Sequence, residues 1–233
     1  MSIWALADLH LSLGVPDKTM EVFGPHWDQY IDKMATHWQQ CVHVDDLVLI
    51  AGDISWAMRL EEAEKDLQWI DQLPGTKVLI RGNHDYWWDS VSKVKRALPP
   101  SLHIIQNDSF DWKDISIGGS RLWDTQEYSF NQTFAAVDPQ AEKIYDRELA
   151  RLEMSLKSMR QDRRLVMTHY PPLGSDLRPS RASRMLTQYG VTDCVFGHLH
   201  GLDNSQNYFG QKDGVKYHLT ASDYLNFCPK KIL

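Results

Sequence analysis

An α/β fold, arranged as a two-sheet sandwich, is what this sequence predicts, and three observations carry the expectation. Short apolar runs recur, and each stops abruptly at polar residues able to bind metal. The runs are rich in Val, Ile and Leu without alternation, which fits strands buried on both faces. The stretches between them repeat apolar residues at helical spacing, and strands alternating with helices indicate layered α/β structure with much parallel sheet.

Taken in order, Ile3 to Ala7 forms the first strand and ends in Asp8-Leu9-His10. Trp27, Tyr30, Ile31, Met34, Trp38 and Cys41 mark one helical face. Leu47 to Ala51 is the second strand and ends in Gly52-Asp53. Leu60, Ala63, Leu67, Ile70 and Leu73 define the next helix, which Pro74-Gly75 stops. Val78 to Ile80 runs into Gly82-Asn83-His84-Asp85. Ile104-Ile105, Ile115 to Ile117 and Tyr217 to Leu219 are further short strands whose spacing suits antiparallel pairing. Tyr145, Leu149, Leu152, Leu156 and Met159 give a long amphipathic helix. Leu165 to Met167 ends in Thr168-His169, and Cys194 to Phe196 ends in Gly197-His198-Leu199-His200. Residues 1–233 read as one domain, with a helical insertion or cap at about 120–163.

Composition narrows the class. With 42% hydrophobic and 24% charged residues the chain has the profile of a globular protein with a buried core. A net charge of −6 argues against charge-driven nucleic-acid binding. The longest apolar runs are too short to cross a bilayer, and no basic residue before Lys18 supports a signal peptide. Three scattered cysteines without a CxxC pair exclude a disulfide framework or zinc finger and point to a cytoplasmic protein. Oligomeric state has no signature here.

Ligands at the carboxyl ends of parallel strands converge on one sheet edge. Five such ends supply Asp8, His10, Asp53, Asn83, His84, Asp85, His169, His198 and His200. Imidazoles and carboxylates without thiolate suit Mn, Fe, Zn, Ni or Co better than Ca or Mg. The set exceeds what one four-coordinate ion needs, so two ions sharing a carboxylate is the economical reading.

On these blocks the sequence resembles the calcineurin-like metallophosphoesterase superfamily, whose signature runs DxH, GD, GNH(D/E), His and GHxH at successive strand ends. All five occur in order between residues 8 and 200. The resemblance implies a four-layer sandwich with two transition-metal ions per chain, Mn first among the candidates. Asp8, His10, Asp53 and His200 would hold one ion. Asp53 would bridge to a second, held also by Asn83, His169 and His198. A metal-bridging hydroxide would attack phosphorus in line, and His84, positioned by Asp85, would protonate the departing alkoxide.

The substrate expected is a small-molecule phosphate ester, with a diester favoured, because the only arginine at a signature block is Arg81, just before Gly82, at a strand end that can point away from a third phosphoryl oxygen. The match is to bacterial phosphohydrolases and cyclic-nucleotide phosphodiesterases. A phosphomonoesterase or protein phosphatase on the same site, and a non-catalytic interaction module on this fold, are the alternatives. Trp87 is a candidate for stacking on a substrate base or sugar, with a core position as the plainer alternative. The arginines that follow His169, Arg178 and Arg181 first among them, are candidates for phosphate contact.

Overall fold

A computed structural model describes residues 1–128 and 139–233. The first sheet has strand order β11-β1-β2-β3-β4, formed by β1 (Ile3–Leu6), β2 (Leu47–Ile50), β3 (Thr76–Leu79), β4 (Leu102–Ile104) and β11 (Lys230–Lys231). The second has order β5-β6-β7-β8-β10-β9, formed by β5 (Phe110–Trp112), β6 (Ile115–Ser120), β7 (Arg163–Thr168), β8 (Asp193–Phe196), β9 (Gln211–Lys212) and β10 (Val215–Leu219). The helices are α1 (Tyr30–Cys41), α2 (Leu60–Gln72), α3 (Val91–Ala97), α4 (Pro139–Ser158) and α5 (Arg181–Gln188).

The period of two along each strand sorts side chains into layers. Ile3, Ala5 and Ala7, with Leu47, Leu49 and Ala51, meet Ile117, Leu165, Met167 and Val195 between the two sheets. The alternate residues Leu6, Val48 and Ile50 pack outward against Met34 and Trp38 of α1 and Leu67 and Ile70 of α2. On the other side, Val166, Cys194 and Phe196 pack against Tyr145, Leu152 and Leu156 of α4 and Leu186 of α5. The result is helix, sheet, sheet, helix. Because both faces of each sheet are covered, the central strands read as unbroken apolar runs.

The antiparallel pairing expected of the later strands holds only on the outer side of β6 and β10, and their inner partners and β4 run parallel. β4 runs parallel to β3, β6 parallel to β7, and β10 parallel to β8. Parallel return needs a long crossover, which α3, α4 and residues 197–214 supply. Only the two-stranded contacts β5–β6, β9–β10 and β1–β11 are antiparallel among the described strands. The expected cap at 120–163 falls partly outside the described residues, at 129–138. Its helix α4 lies on β6, where Ser155 Oγ accepts from the Gly119 amide at 2.8 Å, and so forms a layer of the sandwich.

The parallel direction of β10 matters for function. It brings Thr220 to Asp223 to the same edge as the end of β1, where Ala7 N donates to Thr220 O at 2.7 Å. The two sheets meet there, through a parallel bridge between Ala7 and Ala221.

Candidate metal centre

Four of the expected ligands sit in left-handed backbone: Asp8 (φ 58°), His10 (φ 45°), Asp53 (φ 51°) and His198 (φ 71°). For residues with a Cβ this conformation costs about 1–2 kcal/mol each and must be held by its surroundings. Asp8 N donates to Gly52 O at 2.9 Å and His10 N to Asp53 O at 3.0 Å, tying the first two strand ends together. His198 N donates to the Asp8 carboxylate at 3.0 Å, tying in the end of β8. The motif glycines permit this crowding. A Cβ on Gly82 would overlap the Asp53 carboxylate, and one on Gly197 would overlap that of Asp8.

These turns bring seven side chains together. The Nε2 atoms of His10 and His200 lie 3.3 Å apart, and Asp8 Oδ1 lies 3.6 Å from His200 Nε2. Asn83 Oδ1 is 2.7 Å from His169 Nε2 and 3.1 Å from His198 Nδ1. Asp53 Oδ2 stands between the two clusters, 3.8 Å from His10 Nε2 and 3.4 Å from His169 Nε2. Ligand atoms about 2.1 Å from a common ion lie about 3.0–3.4 Å from each other, so this donor set fits metal coordination. Asp8, His10 and His200 form one compact group of potential ligands, and Asp8, Asp53 and His169 another.

The electrostatics agree with that fit. Burial pushes the Asp8 carboxyl up to about 7, against the pull of His200 and His169. Burial also works to raise Asp53, but the neighbouring His169 and His10 hold it below the usual carboxylate range. Burial lowers His10 and His198 to about 3, leaving neutral imidazoles, the form that binds metal. Burial opposes protonation of His169 too, yet Asp53 and Asp8 hold it up at about 9. His200 is likewise held at about 9 by Asp8 and Asp223 against burial. Buried carboxylates here demand positive charge, which a bound cation would supply in place of the two imidazoliums.

The other expected site residues divide. His84 lines a cavity at the centre, its amide donating to Asp53 Oδ1 at 2.8 Å and its ring 4.6 Å from that of Trp56. The hydrogen bonds of the Asp85 carboxylate go to main-chain amides and Trp87, not to the His84 ring, among the described residues. Asp85 is fully buried and accepts from the Ile54 amide (2.8 Å), the Gly82 amide (2.7 Å) and the Trp87 indole (2.9 Å). It therefore locks the two turns that carry Asp53 and Asn83 against each other. Trp87 is 1% exposed and belongs to the core. Arg181 is paired with Glu127, Glu142 and Asp146, and Arg178 points outward with Asp176 at 3.4 Å. Neither arginine is directed at the centre, because nearer carboxylates have claimed them.

Three residues at the centre escaped the sequence reading. Asp223 holds His200 Nδ1 at 3.0 Å and accepts from the Gly201 amide at 2.9 Å. Trp56 stacks on the His10 ring at 4.9 Å between centroids. Tyr170 lies on the His198 ring at 3.9 Å. Asp223 carried a usable signal, a carboxylate closing the last apolar strand, but its strand was expected to run the other way. Tyr170 directly follows His169, whereas nothing near Trp56 set it apart from the other tryptophans.

Comparison with known proteins bears on this geometry. A family model described as calcineurin-like phosphoesterase matches residues 1–202. A phosphopantetheinyl hydrolase from Mycobacterium tuberculosis shares the fold with a TM-score of 0.64 at 15% identity, over 100% of this chain and 95% of that one. A protein of unknown function from Aquifex aeolicus, AQ665, aligns over 99% of this chain and 95% of its own with a TM-score of 0.51 and 14% identity. The Gene 66 protein of Mycobacterium phage D29 is 32% identical over 84 residues, which is 36% of this chain. That match spans 40% of the phage protein's length. Among the described residues no helix is long and apolar enough to cross a membrane. The ordered motif blocks, the two-sheet sandwich and the family match agree, and the chain belongs to the calcineurin-like phosphoesterase family, whose members are metal-dependent hydrolases.

Proposed function

We propose that this protein is a two-metal phosphoesterase acting on small phosphate esters, with diesters preferred over monoesters. The observation that carries the reading is the place of Asp53, whose Oδ2 lies within 4 Å of both His10 and His169. Asp8, His10, Asp53 and His200 would hold one ion, and Asp53, Asn83, His169 and His198 the other. Manganese leads the candidates for this donor set, with iron, zinc, nickel or cobalt as alternatives. Such ions supply Lewis acidity, lowering the pKa of bound water toward neutrality and balancing charge on phosphoryl oxygens.

The protein's own residues supply the rest. Asp85 fixes the turns after β2 and β3 in one arrangement, so the two donor groups keep their spacing. His84, anchored through its amide and packed on Trp56, faces the cavity and delivers a proton to the leaving oxygen. The pairing of Arg178 and Arg181 with carboxylates supports the diester preference, since a monoester dianion gains most from a free guanidinium fork. The free thiols Cys41, Cys194 and Cys228 suit a reducing cytoplasm.

The test is elemental analysis after metal reconstitution, followed by kcat/KM for bis-p-nitrophenyl phosphate against p-nitrophenyl phosphate. Two ions per chain, loss of hydrolysis on chelation and a diester preference are expected. One tight ion with full activity would overturn the dinuclear reading, and a monoester preference above about tenfold would overturn the diester reading.

A further inference from the structure

We propose that the cavity beside His10 and His84 receives the alcohol portion of the ester, and that it selects an aromatic or similarly flat apolar group, neutral or cationic, over one bearing an additional negative charge. This rests on the phosphoesterase reading and names the substrate class of that site. The cavity is open to solvent on one side and has a volume of about 710 Å³, within the range of roughly 300–1,000 Å³ found for small-molecule sites. It opens on His10, His84 and His200, and none of Asn83, His169 or His198 lines it. The ester oxygen nearest His84 therefore points its carbon chain into this space.

Several separate segments make the walls. Met20, Phe23 and Trp27 come from the stretch before α1, Trp56 from the turn after β2, and Leu202 and Asp203 from the loop after His200. Trp56 contacts both His10 and His84, so the aromatic wall begins where the leaving oxygen must lie. Phe23 lines the cavity and is 67% exposed. Flat apolar groups gain most from such walls, through burial and ring contacts.

The charges on this cavity carry the second half of the inference. No lysine or arginine lines it, and its carboxylates are Asp203 and Asp223. Asp223 is engaged by the His200 ring at 3.0 Å and by the Gly201 amide at 2.9 Å. Asp203 accepts only from Ser205 and Gln206 among the described residues, so its charge has no cationic partner. Lys33 of α1 is directed instead at the His26 carbonyl and the Phe227 ring. The donor groups welcome a phosphoryl anion, whereas the cavity wall that carries Asp203 repels a second one.

The experiment reads binding separately from turnover. Benzylphosphonate, its 4-trimethylammoniomethyl derivative, its 4-carboxy derivative and ethylphosphonate are titrated calorimetrically into the metal-loaded protein. The neutral and cationic benzyl compounds should bind at least about tenfold more tightly than the carboxylate. Asp203→Lys should abolish or invert that order, and Phe23→Ala should reduce the preference for benzyl over ethyl by about fivefold. Equal binding of the carboxylate, an order unchanged by Asp203→Lys, or no preference for benzyl over ethyl would overturn the proposal. The matching benzyl phosphates and their methyl diesters are then assayed for hydrolysis. Hydrolysis without the binding order sinks the cavity proposal and leaves the phosphoesterase reading standing. The binding order without hydrolysis of any ester sustains the cavity's selectivity and sinks the phosphoesterase reading.

Discussion

His169 and His10 occupy matching places in the two donor groups, yet they are held in opposite ways. The His169 ring is fully buried and its Nδ1 is fixed on the Ala51 carbonyl at 3.0 Å, one residue before Gly52-Asp53. The His10 Nδ1 is buried and has no hydrogen-bond partner among the described residues. Its ring is kept in place by stacking on Trp56 and an edge contact with Trp27. Metal-binding imidazoles generally donate their second nitrogen to a carbonyl or carboxylate, so as proposed ligands His169 would follow the usual arrangement and His10 would depart from it. One group is built by main chain lying next to its own motifs. The other depends on side chains from positions 27, 56 and 223, brought in by the fold.

The largest effect should come from the residue the two groups share. Asp53→Asn removes the charge that both need, so metal content should fall from two ions toward none and turnover should drop by more than about 10⁴-fold. Retention of one ion at full affinity would show that the groups do not share this carboxylate. His84→Asn should keep both ions while lowering turnover by about 10²–10⁴-fold on esters with poor leaving groups. The loss should be far smaller with p-nitrophenolate, which departs without a proton. Equal losses on both substrate types would remove His84 from the role of acid.

A finer cut between the groups is possible at Asp223. Asp223→Ala frees the His200 ring and the Gly201 amide but leaves the His169 side untouched. One of the two ions should then bind about 10–100-fold more weakly, with the other unchanged. Metal titration resolving two sites checks this, and equal weakening of both would erase the distinction between them.

The smallest effect on the centre is expected far from it, at Lys77. This buried lysine donates to the Leu73 carbonyl, to the Asp71 carbonyl at 3.2 Å and to Ser101 Oγ at 3.0 Å, closing the end of α2. Lys77→Met should cost about 1–3 kcal/mol of stability, read by denaturant unfolding, with metal stoichiometry intact. Burial lowers the Lys77 pKa to about 8 from 10.5. Between those pH values the unfolded chain binds more protons at this group than the folded one. Its contribution to stability therefore rises with pH across that window and is absent from the Met variant.

Much of this centre was legible because strand ends in a parallel sheet all face one edge. An apolar run ending in Asp8, Asp53, Asn83, His169 or His198 therefore announces a convergent ligand without any knowledge of contacts. The motif glycines were legible for a related reason, since only a residue without Cβ lets Gly82 approach Asp53 and Gly197 approach Asp8. The layers came from the same runs, through the period of two that sends Ala5 inward and Leu6 outward.

Strand direction at β10 was decided only by the assembled molecule. A short run such as Tyr217 to Leu219 pairs either way until a crossover length and a neighbouring strand are known, and so Asp223 stayed hidden. Charge partners were hidden for the same reason. Arg181 reads as a free cation in sequence, but Glu127, Glu142 and Asp146, between 35 and 54 residues away, reach it first. Trp87 stood out in the sequence by following the GNHD block and Trp56 did not, yet packing sent the first into the core and the second beneath His10. Sequence alone determines the features set by local periodicity and by the shared direction of strand ends. Partner choice between residues distant along the chain is a competition among contacts, and those exist only once the chain has closed on itself.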